Sequence, residues 1–178
     1  MSFLQRQFRP SQHMSIDRTW RTLHQGLADI YDTIPLPRER YMQLYNLVYQ
    51  YCTSNNLTLP VHSRSYLPGC ELLGGKLYRN LKDFLQNRIY DLTVMGLETY
   101  DDLLLVFYQT CWSAYSFASV VTHHIFLYMN RHWIRRVLED EDDVLEVYSL
   151  AMFMWRENLL EVLESRVCLL YTSDAADE

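Results

Sequence analysis

Residues Glu98 to Tyr115 read ETYDDLLLVFYQTCWSAY. Within them Tyr100, Leu103, Leu104, Phe107, Tyr108, Cys111, Trp112 and Tyr115 recur at alternating steps of three and one. That spacing lines up one side of a helix over four turns and matches no strand. Toward the N-terminus, Leu77, Leu81, Phe84, Leu85 and Ile89 predict a helix over about Lys76 to Asp91. Toward the C-terminus, Phe117, Val120, Val121, His124, Ile125 and Tyr128 predict another over about Ser116 to Leu138. Periodicity leaves open whether a kink near Ser113 to Ser116 separates it from its predecessor.

The flanking segments follow the same rule. Ser15 can N-cap a helix with Asp17 in its first turn, and Ile16, Trp20, Leu23, Leu27 and Ile30 form its apolar stripe. Pro35 and Pro37 end that helix and open the next, over about Arg38 to Ser54. There Tyr41, Leu44, Tyr45, Val48 and Cys52 make one stripe, while Met42, Leu47, Tyr49 and Tyr51 spread over other faces. A helix apolar on nearly all sides needs cover on nearly all sides, from its own core or from a partner. Asn55 to Gly75, with Pro60, Pro68 and three glycines, reads as a long surface loop. Val144 opens a sixth helix carrying Val147, Tyr148, Ala151, Trp155, Leu159 and Val162. No segment offers a period-2 strand. The class is all-α, a bundle of five to six helices, and Trp20, Phe84, Trp112 and Trp155 are expected in its core.

Composition narrows the function. The 178 residues are 49% hydrophobic and 14% aromatic with only five Gly and five Pro, so the elements are few and long. The formal charge is −6, and the short basic cluster Arg131, Arg135 and Arg136 is followed at once by the acidic run Glu139 to Asp143. A nucleic-acid binder normally shows a basic face, so no nucleic-acid partner is expected. Cys52, Cys70, Cys111 and Cys168 form no CxxC pair and read as reduced thiols of a cytoplasmic and nuclear protein. The first ten residues hold no signal-type apolar run, and no membrane span is expected. The final string CLLYTSDAADE, Cys168 to Glu178, matches one frame of a common transposase sequencing adapter and is read as foreign to the natural protein, which is expected to continue past about Val167.

A search for reaction chemistry assembles nothing. Gly69, Gly74, Gly75 and Lys76 suggest a phosphate loop, but the order of glycine, lysine and hydroxyl residue is wrong, and a plain turn before the third helix is expected. His123 and His124 are adjacent and point about 100° apart on a helix, a poor start for a metal site. The carboxylates of Glu139 to Asp143 read as solvated. Cys111 beside Trp112 lacks a basic neighbour to activate it and is expected in the core. Neither catalytic residue, metal nor cofactor is expected. The fourteen tyrosines stand out: they either fill gaps between helices or serve an interface, where tyrosine combines large area with a polar tip.

Five stretches in order resemble the N-terminal region of the cullin family. They are IDRTW (Ile16 to Trp20), RYMQLYNLVYQYCTS (Arg40 to Ser54), FYQTCW (Phe107 to Trp112), LYMNRHWIRR (Leu127 to Arg136) and EVYSLAMFMWRENL (Glu146 to Leu159). The nearest class is the one that recruits Skp-type adaptors. The resemblance implies a stalk of helical repeats, with a flexible arm over 1–14, the first cullin repeat over 15–143 and the start of a second over 144–167. It implies a non-catalytic scaffold of a ubiquitin ligase, docking a Skp-type, BTB-fold adaptor and through it F-box substrate receptors. A RING protein would be held only by a C-terminal region outside this sequence. Carried over position by position, the adaptor-binding residues are Tyr41, Met42, Tyr45, Val48 and Tyr49 on the second helix. On the fifth they are Phe117, Val120, Val121, His124 and Tyr128, with His124 standing where the family commonly has a smaller residue. Two other readings share the bare pattern: an all-α enzyme with a pocket of tyrosines beside His123 and His124, and a helical interaction module outside ubiquitin transfer.

Overall fold

The computed structural model describes residues 15–54, 73–138, 144–164 and 166. The arm, the loop after the second helix, the acidic run and the C-terminal string read as foreign lie outside these residues. Helix α1 (Ile16–Tyr31) leads into α2 (Arg38–Ser54). Then come α3 (Leu73–Glu98), α4 (Asp101–Ile125), short α5 (Leu127–Met129), a π-helical turn (Asn130–Ile134) and α6 (Arg135–Val137). Last is α7 (Val147–Trp155), running on through a π-helical turn (Arg156–Leu160). There is no strand among the described residues.

The stripes read from sequence become the core. Leu23, Leu27 and Ile30 of α1, Leu44, Val48 and Cys52 of α2, and Leu77, Leu81, Leu85 and Ile89 of α3 are all buried. Gly26 lets α1 and α2 touch, because a Cβ there would stand 2.6 Å from Leu44. Helix α4 packs against α1, α2, α3 and α7 and is the axis of the bundle. The sequence reading expected no membrane span, yet the stretch Leu103–Ile125 is by length and composition apolar enough to cross a membrane, and only 22% of that window is buried within the bundle.

One point that periodicity left open is decided, and three other expectations are corrected. The α4 helix does not break near Ser113 to Ser116. The hydroxyls of both serines bond back to the carbonyls of Gln109 and Ser113, and the helix runs on to Ile125 before turning at Phe126. Helix α3 extends seven residues beyond Asp91, held by packing against the α7 segment. Gly74 and Gly75 do not form a turn but lie buried inside the first turn of α3, where a Cβ on Gly74 would strike the Trp133 ring. Trp112 is 38% exposed rather than core, its ring packing at a tilt against Trp155 with centroids 5.3 Å apart.

Several tyrosines use both their body and their tip. Ser119 spends its proton on the Tyr115 carbonyl (2.7 Å), so the Tyr31 hydroxyl donates to Ser119 (3.3 Å). The Tyr115 hydroxyl donates to the Ala151 carbonyl (3.0 Å). Tyr78 both donates to the carbonyl and accepts from the amide of Leu145 (3.0 Å each). The three tyrosine bonds tie together elements distant in sequence at little cost, because a buried hydroxyl keeps a partner.

Candidate functional site

Helix α2 turns Leu44, Val48, Tyr51 and Cys52 inward, which leaves the neighbouring positions to look out. Met42 and Tyr49 are 44% and 43% exposed, and Tyr41 and Tyr45 are half-buried. Val48 is a correction: it has no accessible surface, because it lies four residues from both Leu44 and Cys52 on the core stripe, and so supports the helix from within. On α4, Ala118, Ser119, Thr122 and Ile125 point to the core. Phe117 and Val120 are therefore 66% and 41% exposed, His124 is exposed and Val121 half-buried.

The two sets meet. Tyr41, Phe117, Val121 and His124 line one cleft of about 510 Å³, bounded on its other side by Ile34, Pro35 and Leu36 of the α1–α2 connection and by Arg38 at the start of α2. Farther along α2, Tyr49 meets Tyr128 edge to face at 4.9 Å, and Tyr128 leans on His132 at 4.4 Å. Cleft and aromatic group lie about 12 Å apart along α2, measured from Tyr41 to Tyr49 at 1.5 Å per residue. The Tyr45 and Val120 side chains lie outside the cleft lining.

The α1–α2 connection is the part of the site that sequence reading missed. Thr33 sits in the left-handed region (φ 59°). Its amide bonds the Ile30 carbonyl (3.1 Å) and that of Ile34 bonds the Asp29 carbonyl (2.9 Å). This is a Schellman cap with threonine where glycine is usual, a conformation costing about 1–2 kcal/mol. Arg88 adds to it, donating to the Tyr31 carbonyl (2.9 Å) and pairing with Asp32 (2.6 Å). The cap throws Ile34, 52% exposed, and half-buried Leu36 to the cleft side. The available signal was apolar residues placed between and beside two prolines.

Chemically the cleft is built for contact. Burial raises the Tyr41 phenol above its ordinary pKa, so it stays a neutral donor. The His124 ring bonds the Val120 carbonyl through Nδ1 (2.8 Å); a carbonyl only accepts, so Nδ1 carries a proton and donates it. Arg38 brings a positive charge. His123 turns away, its Nδ1 accepting from the Asn130 amide (3.1 Å), and burial lowers its pKa. Burial pushes the Cys52 thiol up to about 12 and raises that of Cys111, which is half-buried rather than fully core. Among the described residues no three His, Cys, Asp or Glu side chains gather as metal ligands would.

Residues 20–173 match the family model for the cullin alpha solenoid domain. The chain belongs to the cullin family. It is 32% identical over 161 residues to Cullin-1 of Caenorhabditis elegans, covering 83% of this chain and 20% of that protein. It is 30% identical over 163 residues to Cullin-1 of Dictyostelium discoideum, covering 86% and 21%. Cell division control protein 53 of Saccharomyces cerevisiae is 27% identical over 68% of this chain and 15% of its own length. This cullin chain therefore spans about a fifth of the length of the curated relatives it matches. The helical architecture agrees with the solenoid description of the family.

Proposed function

We propose that this cullin segment is the adaptor-docking end of a non-catalytic ubiquitin-ligase scaffold acting in the cytoplasm and nucleus. Its partner is a Skp-type, BTB-fold adaptor that brings F-box substrate receptors, while a RING protein binds a C-terminal region outside this sequence. Residues 15–143 are the first repeat and 144–167 the start of the second. The docking face comprises Tyr41, Met42, Tyr45 and Tyr49 of α2 with Phe117, Val120, Val121, His124 and Tyr128 of α4 and α5. One observation carries the reading: residues from two helices 76 positions apart, Tyr41 and Phe117, line the same open apolar cleft on the bundle surface. Similarity to Cullin-1 proteins supports the choice of adaptor class. The scaffold works by geometry, holding two reacting partners near each other and so raising their effective concentration.

The test is capture of the chain on an immobilised Skp-type adaptor. Tyr45→Ala combined with Tyr49→Ala is expected to abolish capture while the helical circular dichroism stays unchanged. Capture at the unaltered level would place docking on another surface.

A further inference from the structure

Around Phe107, roughly 15 Å along α4 from Phe117, the tip of the α3–α4 hairpin meets the segment that follows α7. Helix α3 ends at Glu98, and the last carbonyls of a helix have no partner within it. Arg166 supplies one. Its Nη1 donates to the carbonyls of Gly96 (3.0 Å) and Leu97 (2.9 Å), and its Nη2 to that of Thr99 (3.0 Å). The guanidinium also places a fixed positive charge at the negative end of the helix dipole. A second observation marks the same contact: a Cβ on Gly96 would stand 3.0 Å from Leu163 and 3.1 Å from Phe107, so an added methyl would require these side chains to give by a few tenths of an ångström. A third is the Thr93 hydroxyl, within 3.0 Å of the Asn158 carbonyl in the π-helical turn. At its other end the same segment is held by Asn130, whose Oδ1 accepts the Val147 amide (3.2 Å).

We propose that Arg166, seated over Gly96, is a positioning residue that sets the angle at which the 147–166 arm leaves the α3–α4 hairpin. Apolar packing alone is non-directional and tolerates tilting. A fork bonded to three carbonyls fixes both angle and register. In a solenoid each unit touches only its neighbours, so an angle set here is carried along the stalk. The inference is independent of what docks on the α2–α4 face.

The experiment uses the full chain with spin labels on unnatural keto side chains at Lys82 and Glu164, both exposed, leaving the native cysteines in place. Their distance distribution is read by pulsed electron resonance. Glu164 lies about 25 Å along the arm from Val147, so a tilt of about 10° moves it by about 4 Å. Arg166→Ala is expected to shift or broaden the distribution by about that amount with helicity unchanged, and Arg166→Lys to restore part of the sharpness. Gly96→Ala is expected to displace Leu163 and broaden it likewise. If Arg166→Ala loses helicity, Gly96→Ala and Arg166→Lys are read instead. A distribution in the helical variants indistinguishable from that of the unaltered chain overturns the proposal.

Discussion

Phe117→Ala separates a docking residue from a folding residue. The ring is 66% exposed, so of roughly 200 Å² of accessible surface about 130 Å² faces outward. Covering that area with a partner is worth about 3 kcal/mol at 25 cal/mol per Å². Alanine keeps part of it, which leaves a loss of about 2 kcal/mol, or about a 30-fold weaker Kd. The fold itself should lose no more than about 1 kcal/mol, because little of the ring is packed. Titration calorimetry against a purified Skp-type adaptor reads the first quantity and urea unfolding the second. Tyr90→Ala is the matched control: it is 68% exposed on α3, away from the cleft lining, and is expected to leave Kd unchanged. A change below about threefold for Phe117→Ala, or an equal loss for Tyr90→Ala, refutes the reasoning.

Other outcomes follow from the same geometry. Thr33→Gly relieves a left-handed β-branched residue and should raise stability by about 1 kcal/mol, seen as a higher urea midpoint. Gly74→Ala drives a methyl into Trp133 and should cost about 2–3 kcal/mol, with loss of native tryptophan fluorescence at lower denaturant. Burial pushes the Tyr31 phenol up to about 12, so the unfolded chain loses that proton near pH 10 while the folded chain keeps it. Stability from this group is complete below pH 10 and is lost between pH 10 and about 12, and Tyr31→Phe should flatten that slope in pH-dependent unfolding. The Cys52 thiol, pushed up to about 12, should resist iodoacetamide at pH 9 in the native state and react once unfolded.

Sequence reading recovered most of the fold because the apolar stripes of α1 and α3 repeat without interruption, and Leu23, Leu27, Leu81, Leu85 and Ile89 are all buried. It failed where local pattern and tertiary packing disagree. Periodicity left a joint at Ser113 to Ser116 open, and only the bonds from their hydroxyls to helix carbonyls show that nothing breaks there. The C-terminal turns of α3 show no clean period, and Gly96 argues locally against a helix; contacts with Leu163 and Arg166 hold it. The residues proposed for docking come from the family resemblance, and the geometry sorts them further. Val48 belongs to the core, while Tyr41, Phe117, Val121 and His124 share a cleft. The Pro35 and Pro37 connection was read only as a helix break, because a cap with threonine at positive φ leaves no sequence signature.

Amide hydrogen exchange of the chain with and without a saturating Skp-type adaptor tests the docking face most directly. Helix amides are slowed by their own bonds, so the readout is added protection on complex formation. The account expects that protection in 33–49 and 117–128, with none in 85–95 of α3. Protection confined to α3 or α7, or no change anywhere at saturation, contradicts it.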